Sequence, residues 1–203
     1  MADNQQYRTI LMFGPPGSGK GTQGKVLGRL PGFFHLACGD VFRTLDSQSE
    51  LGKVFLQYST QGKLVPDNFT VQLWLEHIHR LVKAGSFRPE EEILILDGIP
   101  RNQHQAGMME EYINVTLLVY LAVVDEEKMI ARLRRRALHE NRLDDASEEV
   151  IRRRFREYEA ESAPVLDYYP AKLIRKVDAG AVPIQVLHQV VEVVAEVVRA
   201  GAE

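Results

Sequence analysis

Ten residues, Gly14-Pro15-Pro16-Gly17-Ser18-Gly19-Lys20-Gly21-Thr22-Gln23, constrain this chain more than any other stretch. They follow directly on the apolar run Thr9-Ile10-Leu11-Met12-Phe13 and open a helical pattern from Gly21 to Leu30. A strand that ends in a glycine-rich turn and restarts as a helix wraps its backbone so that successive N–H groups point inward. The helix N-terminus adds partial positive charge. That arrangement is a cradle for phosphate, and Lys20 can reach the β- and γ-phosphates of a nucleotide as a mobile point charge. The pattern G-x-x-x-x-G-K-[ST] is met as far as Lys20, but Gly21 follows and the hydroxyl comes one position later, at Thr22. The usual loop hydroxyl ligates Mg²⁺ directly, so the displacement shifts that duty toward other groups.

Composition narrows the setting. With 203 residues, 45% of them hydrophobic, the chain can bury one α/β core and still carry small inserted lobes. A net charge of −3 provides no global field for nucleic acid or anionic membrane, and neither is expected as a partner. The single cysteine, Cys38, excludes an intramolecular disulfide and a Cys-rich zinc site, and suits a reducing compartment. No apolar run approaches a membrane span, and the polar start Met1–Gln6 lacks the apolar stretch of a signal peptide. A soluble, cytoplasmic protein is expected.

Short apolar runs alternate with helical patterns, as in βαβ units with a parallel sheet. The predicted strands are Arg8–Phe13, Phe33–Leu36, Ile93–Asp97, Thr116–Leu121 and Lys172–Val177. Most are continuously apolar, which is expected where helices cover both sheet faces. Helices are predicted over Leu51–Gln61, Phe69–Ala84, Gln103–Tyr112, Glu126–Arg136, Glu148–Tyr169 and Pro183–Val198, with Pro164 kinking or breaking the longest. From about Asp40 to Ala84 no strand intervenes, which suggests a lobe on the sheet edge. The polar stretch Ala137–Asp144 reads as a short excursion between two arginine-rich helices.

Two further segments carry chemistry. A buried strand delivers Asp97 to the carboxyl edge of the sheet, where it can hold Mg²⁺ through water, and Arg101 beyond the Gly98–Pro100 turn can fork onto a phosphate. The third signal is arginine: Arg132, Arg134, Arg135 and Arg136, then Arg142, then Arg152, Arg153, Arg154 and Arg156. Phosphoryl transfer between two nucleotides gathers many negative oxygens, for which bidentate arginine suits better than lysine. Some of these arginines pair instead with Glu126, Glu127, Glu148 and Glu149 on solvated faces. The six histidines form no metal-ligand set, and Trp74 reads as helix core.

Taken together, the Gly14–Gln23 loop, Cys38-Gly39-Asp40 with Arg43, Gly62-Lys63-Leu64-Val65-Pro66, Asp97-Gly98-Ile99-Pro100-Arg101 and Arg142-x-Asp144-Asp145 resemble the adenylate kinases. These belong to the wider nucleoside monophosphate kinases, and the likeness runs from about Thr9 to the C-terminal helix. The resemblance implies a three-layer P-loop NTPase fold with a five-stranded parallel sheet. It implies a core of residues 7–37, 85–136 and 146–203, a monophosphate-binding lobe at 38–84 and a short lid at 137–145. It further implies that Gly14, Pro15, Pro16, Gly17, Ser18, Gly19, Lys20, Gly21, Thr22 and Arg132 hold ATP, and that Cys38, Arg43, Lys63, Leu64, Val65, Gly98, Arg101 and Gln105 hold AMP. By the same likeness Lys20, Arg136, Arg142 and Arg154 act on the transferring phosphoryl, Mg²⁺ comes with ATP, no zinc is needed, and the protein is a monomer.

Some positions depart from the family pattern. Ala37-Cys38 stands where Ser-Thr or Ser-Ala is usual, and small, weakly polar Cys38 favours neither an adenine nor a pyrimidine acceptor. Ile99 replaces an aromatic residue and would remove a stacking surface for the acceptor base. Arg101-Asn102-Gln103 is also similar to the UMP–CMP kinases, which place asparagine at the position of Gln105. The step from Asp145 to Arg154 is one residue longer than usual, so Arg153 is a rival, although Phe155 favours Arg154. Outside the class, a GTP-binding switch would need an N-K-x-D guanine reader, which the chain lacks. A binding module without turnover would have no use for so many phosphate-directed arginines.

Overall fold

The computed structural model describes residues 6–123, 125–140, 145 and 147–200. Among these, five strands form one parallel sheet: β1 (Tyr7–Phe13), β2 (Phe33–Ala37), β3 (Ile93–Asp97), β4 (Ile113–Ala122) and β5 (Ile174–Asp178). Their spatial order is β2-β3-β1-β4-β5, which puts β1 at the centre with β3 and β4 on either side. The helices are α1 (Lys20–Leu27), α2 (Cys38–Arg43), α3 (Glu50–Ser59), α4 (Asp67–Lys83), α5 (Gln103–Met109), α6 (Glu126–Glu140), α7 (Glu148–Glu157), α8 (Val165–Tyr168) and α9 (Pro183–Ala200). This is the three-layer P-loop NTPase architecture.

Alternation along β1 explains the layers. Leu11 and Phe13 face one side, in a core shared with Leu94, Leu96, Trp74, Ile78 and Met109. Ile10 and Met12 face the other, with Ile95, Val119, Val186 and Val190. Because helices close both faces, the central strands carry unbroken apolar runs, Ile10–Phe13 in β1 and Ile93–Leu96 in β3. A third, smaller core of Met129, Ile130, Leu133, Ile151 and Phe155 joins α6 to α7. The stretch from Cys38 to Lys83 is helical without an intervening strand, but it is not merely perched on the edge. Leu73, Trp74 and Ile78 of α4 belong to the sheet's own core, whereas α3 buries only Gly52.

Several expected elements differ by a few residues in extent, and three of the differences have a clear physical reason. β4 begins three residues early, at Ile113, because pairing with β1 outweighs the polar Asn114. α6 continues through residues 137–140, where Ala137, Leu138 and Glu140 are good helix formers, so the expected polar excursion starts as helix. The long helix from Glu148 breaks as expected near Pro164, but by way of a π-helical turn at Tyr158–Ser162, with Ala163 N donating to Tyr158 O at 2.8 Å. Pro164 has no N–H to continue the ladder and caps α8 instead.

α1 and its C-cap pack on β2 through Gly24 and Gly28, both against His35. A Cβ at Gly28 would lie 2.4 Å from His35 Cβ and 2.9 Å from its backbone N, neither of which can swing aside. At Gly107 in α5 the nearest atom to such a Cβ is Tyr168 Oη, at an ordinary 3.5 Å. Urea unfolding should therefore show Gly28→Ala destabilised by about 1–3 kcal/mol through overpacking. Gly107→Ala should be neutral or stabilised by up to ~1 kcal/mol through helix propensity.

Candidate active site

The carboxyl edge of the sheet opens into a cleft of about 470 Å³. Its floor is the loop after β1. Gly14, Gly17 and Gly19 adopt φ of 140°, 81° and 99°, and a Cβ at Gly14 would lie 2.5 Å from Leu121 O, so only glycine fits there. α1 begins at Lys20 with no side-chain cap and no acid in its first turn, whereas Ser49 and Ser147 cap α3 and α7. Its first amides are thus left to a ligand. Ser18 is buried beside them, and its hydroxyl has no hydrogen-bond partner among the described residues. Gly14, Pro16, Gly17, Lys20, Gly21 and Thr22 line the cleft.

Lys20 curls back over the loop and donates to Gly14 O at 2.6 Å and Pro15 O at 3.0 Å. Burial lowers its pKa to about 8; Asp97 opposes this, and Arg101, Arg154 and Arg136 add to it. Asp97 ends β3 beside the loop, and a Cβ at Gly21 would sit 3.3 Å from its Oδ2. The missing side chain at position 21 keeps space in front of that carboxylate. A single hard oxygen donor beside a phosphate loop fits Mg²⁺, which takes most of its ligands from phosphates and water.

The opposite wall is built by the segments after β2 and β3. Cys38 is buried at the start of α2, and burial pushes its thiol up to about 12. Arg43 in the same helix reaches Asp40 at 2.5 Å, which Lys25 also approaches at 3.7 Å. After β3, Gly98 takes φ 83°, and Arg101 Nε donates to Gly98 O at 2.9 Å. Gln105 is fully buried in α5, its Oε1 accepting from Arg101 N at 2.8 Å and its Nε2 donating to Asp67 at 2.7 Å. Lys63, Leu64 and Val65 complete the wall.

Arg136 of α6 and Arg154 of α7 enter the cleft from above, and one side chain holds them both. Arg136 donates to Asp145 Oδ2 from Nε at 3.0 Å and from Nη2 at 2.5 Å, and Arg154 Nη1 bonds to Asp145 Oδ1. The Asp145 side chain is completely buried. Arg153 points elsewhere, to Gln61 O at 3.2 Å and Glu149 at 3.2 Å. Arg152 is drawn to Glu127 and Glu148 at 2.8 and 2.9 Å, and Arg134 to Glu148 at 3.5 Å, all on the exposed face.

Not every expected residue reaches the cleft. Arg132 does not line it; its Nη1 donates to Ala179 O at 3.1 Å instead. Ile99 is not a substitute stacking surface, because it is buried in the core; Phe42, Phe55 and Tyr158 supply the aromatic walls. Arg142 and Asp144 lie outside the described residues. Sequence reasoning missed Asp67 and Glu157, whose Oε1 accepts from Leu64 N at 3.4 Å. Both act through partners distant in the chain, so no local pattern marks them.

A phosphate loop at the edge of a 2-3-1-4-5 parallel sheet, faced by an arginine- and amide-lined wall, defines a P-loop phosphotransferase acting on two phosphorylated ligands. The family profile described as "Adenylate kinase" matches residues 12–174. The chain is 38% identical over 176 residues to the adenylate kinase of Thermobifida fusca, covering 84% of this chain and 89% of that protein. It is 34% identical over 166 residues to that of Flavobacterium psychrophilum, covering 79% and 83%. With the Cyanothece sp. adenylate kinase it shares 39% identity over 166 residues, covering 79% and 80%. The chain belongs to the adenylate kinase family.

The low pKa of Lys20 has a measurable consequence. A bound triphosphate raises it again, so binding above pH 8 must take up a proton, and ATP affinity should be highest below pH 8 and decline as pH rises. Titration calorimetry in buffers of different ionisation enthalpy should show this uptake at pH 8.5 and none at pH 6.5.

Proposed function

We propose that the residues gathered in this cleft carry out reversible transfer of the γ-phosphoryl of ATP to AMP, giving two ADP. The observation that carries the assignment is the single cleft in which the Lys20 loop faces Arg101 and Gln105, with Arg136 and Arg154 held above it by Asp145. In this reading the backbone N–H groups of residues 17–22, beyond Pro15 and Pro16, grip the β- and γ-phosphates of ATP together with the Lys20 side chain. Arg132 contributes to ATP only by a rotation away from Ala179. Arg43 and Arg101 hold the phosphate of AMP, Gln105 meets its base, and Cys38, Lys63, Leu64, Val65 and Gly98 shape its pocket. Arg136 and Arg154 spread the charge on the transferring group, and Arg142 is assigned the same task by family resemblance.

An oxygen of the AMP phosphate forms the new bond to the γ-phosphorus as the bond from that phosphorus to the bridging oxygen breaks, and ADP departs. The attacking phosphate is already anionic and needs no general base. The protein supplies alignment, charge stabilisation and exclusion of water, which would otherwise hydrolyse ATP. Mg²⁺, arriving with ATP, would neutralise phosphate charge, and Asp97 is the residue that would hold it, through water. Residues 38–84 and 137–145 are read as the acceptor lobe and short lid beside a core of 7–37, 85–136 and 146–203. We also propose a cytoplasmic monomer. The lone cysteine suits a reducing compartment, and no helix among the described residues is long and apolar enough to cross a membrane.

A coupled assay with ATP and AMP should show ADP formation. Lys20→Ala should lower kcat by about 10²–10³ or more with the fold intact by circular dichroism. Arg101→Ala should raise KM for AMP far more than KM for ATP; equal effects would contradict its placement on the acceptor.

A further inference from the structure

On the acceptor side of the cleft, one carboxylate bonded to Gln105 has no role in the reaction as described. Asp67, the first residue of α4, accepts from Gln105 Nε2 at 2.7 Å and from Asn102 Nδ2 at 3.0 and 3.2 Å. Its Oδ2 also lies 2.8 Å from His104 Nδ1. On the other end of the same amide, Gln105 Oε1 accepts from Arg101 N at 2.8 Å. A backbone N–H can only donate, so the amide oxygen must face Arg101. An ionised carboxylate can only accept, so the amide nitrogen must face Asp67. Flipping the amide would set N–H against N–H and oxygen against carboxylate, with both ends buried.

We propose that Asp67 is a specificity-positioning residue. By pinning the Gln105 amide it fixes the order of acceptor and donor shown to the acceptor base. It thereby selects a purine with a 6-amino group beside an unprotonated N1 over one with a 6-carbonyl beside an N1–H. The inference rests on Gln105 being the base contact. A primary amide has two hydrogens and two acceptor positions. Asp67 and Arg101 consume one of each, which leaves one of each for the cleft. Adenine answers that pair with a donor and an acceptor, whereas a 6-oxo purine reverses both and leaves buried groups facing their own kind. Burial raises the Asp67 pKa, but hydrogen bonds with His104, Gln105 and Asn102 outweigh it and hold the carboxyl below its ordinary range. Asp67 therefore remains an acceptor at neutral pH. Arg101 N–H alone would impose the same orientation more weakly, because a neutral hydrogen bond is weaker than one to a charge.

The test compares AMP with inosine monophosphate, which differs only in exchanging the 6-amino group for a carbonyl and protonating N1. Initial rates are measured at saturating ATP for the native protein, Asp67→Ala and Asp67→Asn, with melting temperatures alongside. Asp67→Ala should raise KM for AMP about tenfold and the inosine-to-adenosine ratio of kcat/KM by about tenfold, the scale of losing a hydrogen bond to a charged group. The KM for ATP should stay within twofold. Asp67→Asn, nearly isosteric and able to offer Gln105 an oxygen, should fall between native and Asp67→Ala, and it preserves the test if the alanine variant does not fold. An inosine-to-adenosine ratio within twofold of native in the folded variants overturns the proposal, as does an equal rise in KM for ATP and AMP. Asp67 would then be only a pin between α4 and α5. A native protein that makes no ADP from ATP and AMP overturns the reaction reading and this inference together.

Discussion

Burial of both faces of one parallel sheet is the constraint on which the rest of this structure depends. Leu11, Leu94 and Leu96 on one side and Ile10, Ile95 and Val119 on the other fill the middle of both faces with apolar side chains. Charge is therefore displaced to the strand ends, and in a parallel sheet all carboxyl ends lie along one edge. Lys20 follows β1, Arg43 follows β2, Asp97 ends β3 and Arg101 follows it. The cleft is what remains when apolar packing has claimed everything else.

Within that edge, carboxylates sort the cations. Arg152 and Arg153 have glutamates within reach on their own helix and Arg134 has one on the neighbouring α7, and all three are drawn to the surface. Arg136 and Arg154 share Asp145, a buried acid with two oxygens and two guanidiniums to satisfy. Breaking such a buried pair leaves an uncompensated charge, so the arrangement is held firmly even where its net contribution to stability is small. The two arginines still carry more charge than Asp145 cancels, and they depress the Lys20 pKa from a distance. Positive charge thus concentrates along the cleft, where it suits polyanionic ligands.

Much of this was legible in the sequence because it is local. The β3 run Ile93–Asp97 has an apolar body and a polar end, and the loop at residues 14–22 declares itself by glycines around one lysine. What was hidden depends on partners distant in the chain. Successive helical residues differ by about 100° around the axis, so choosing between Arg153 and Arg154 requires knowing where Asp145 lies. Ile99 stands where the family pattern has an aromatic residue, and nothing local to it in the sequence shows that its side chain turns into the core while Gly98 and Pro100 line the cleft. The four extra residues of α6 carry no apolar stripe, so periodicity could not extend the helix over them.

The buried start of α2 carries one more consequence. A thiol with a pKa near 12 holds almost no thiolate at neutral pH, and the thiolate is the form that peroxides and alkylating agents attack. With Cys38 the only cysteine in the chain, the acceptor wall has no ready target for oxidants. Reagents directed at thiolates should therefore spare this wall of the cleft, which owes that protection to the packing around α2.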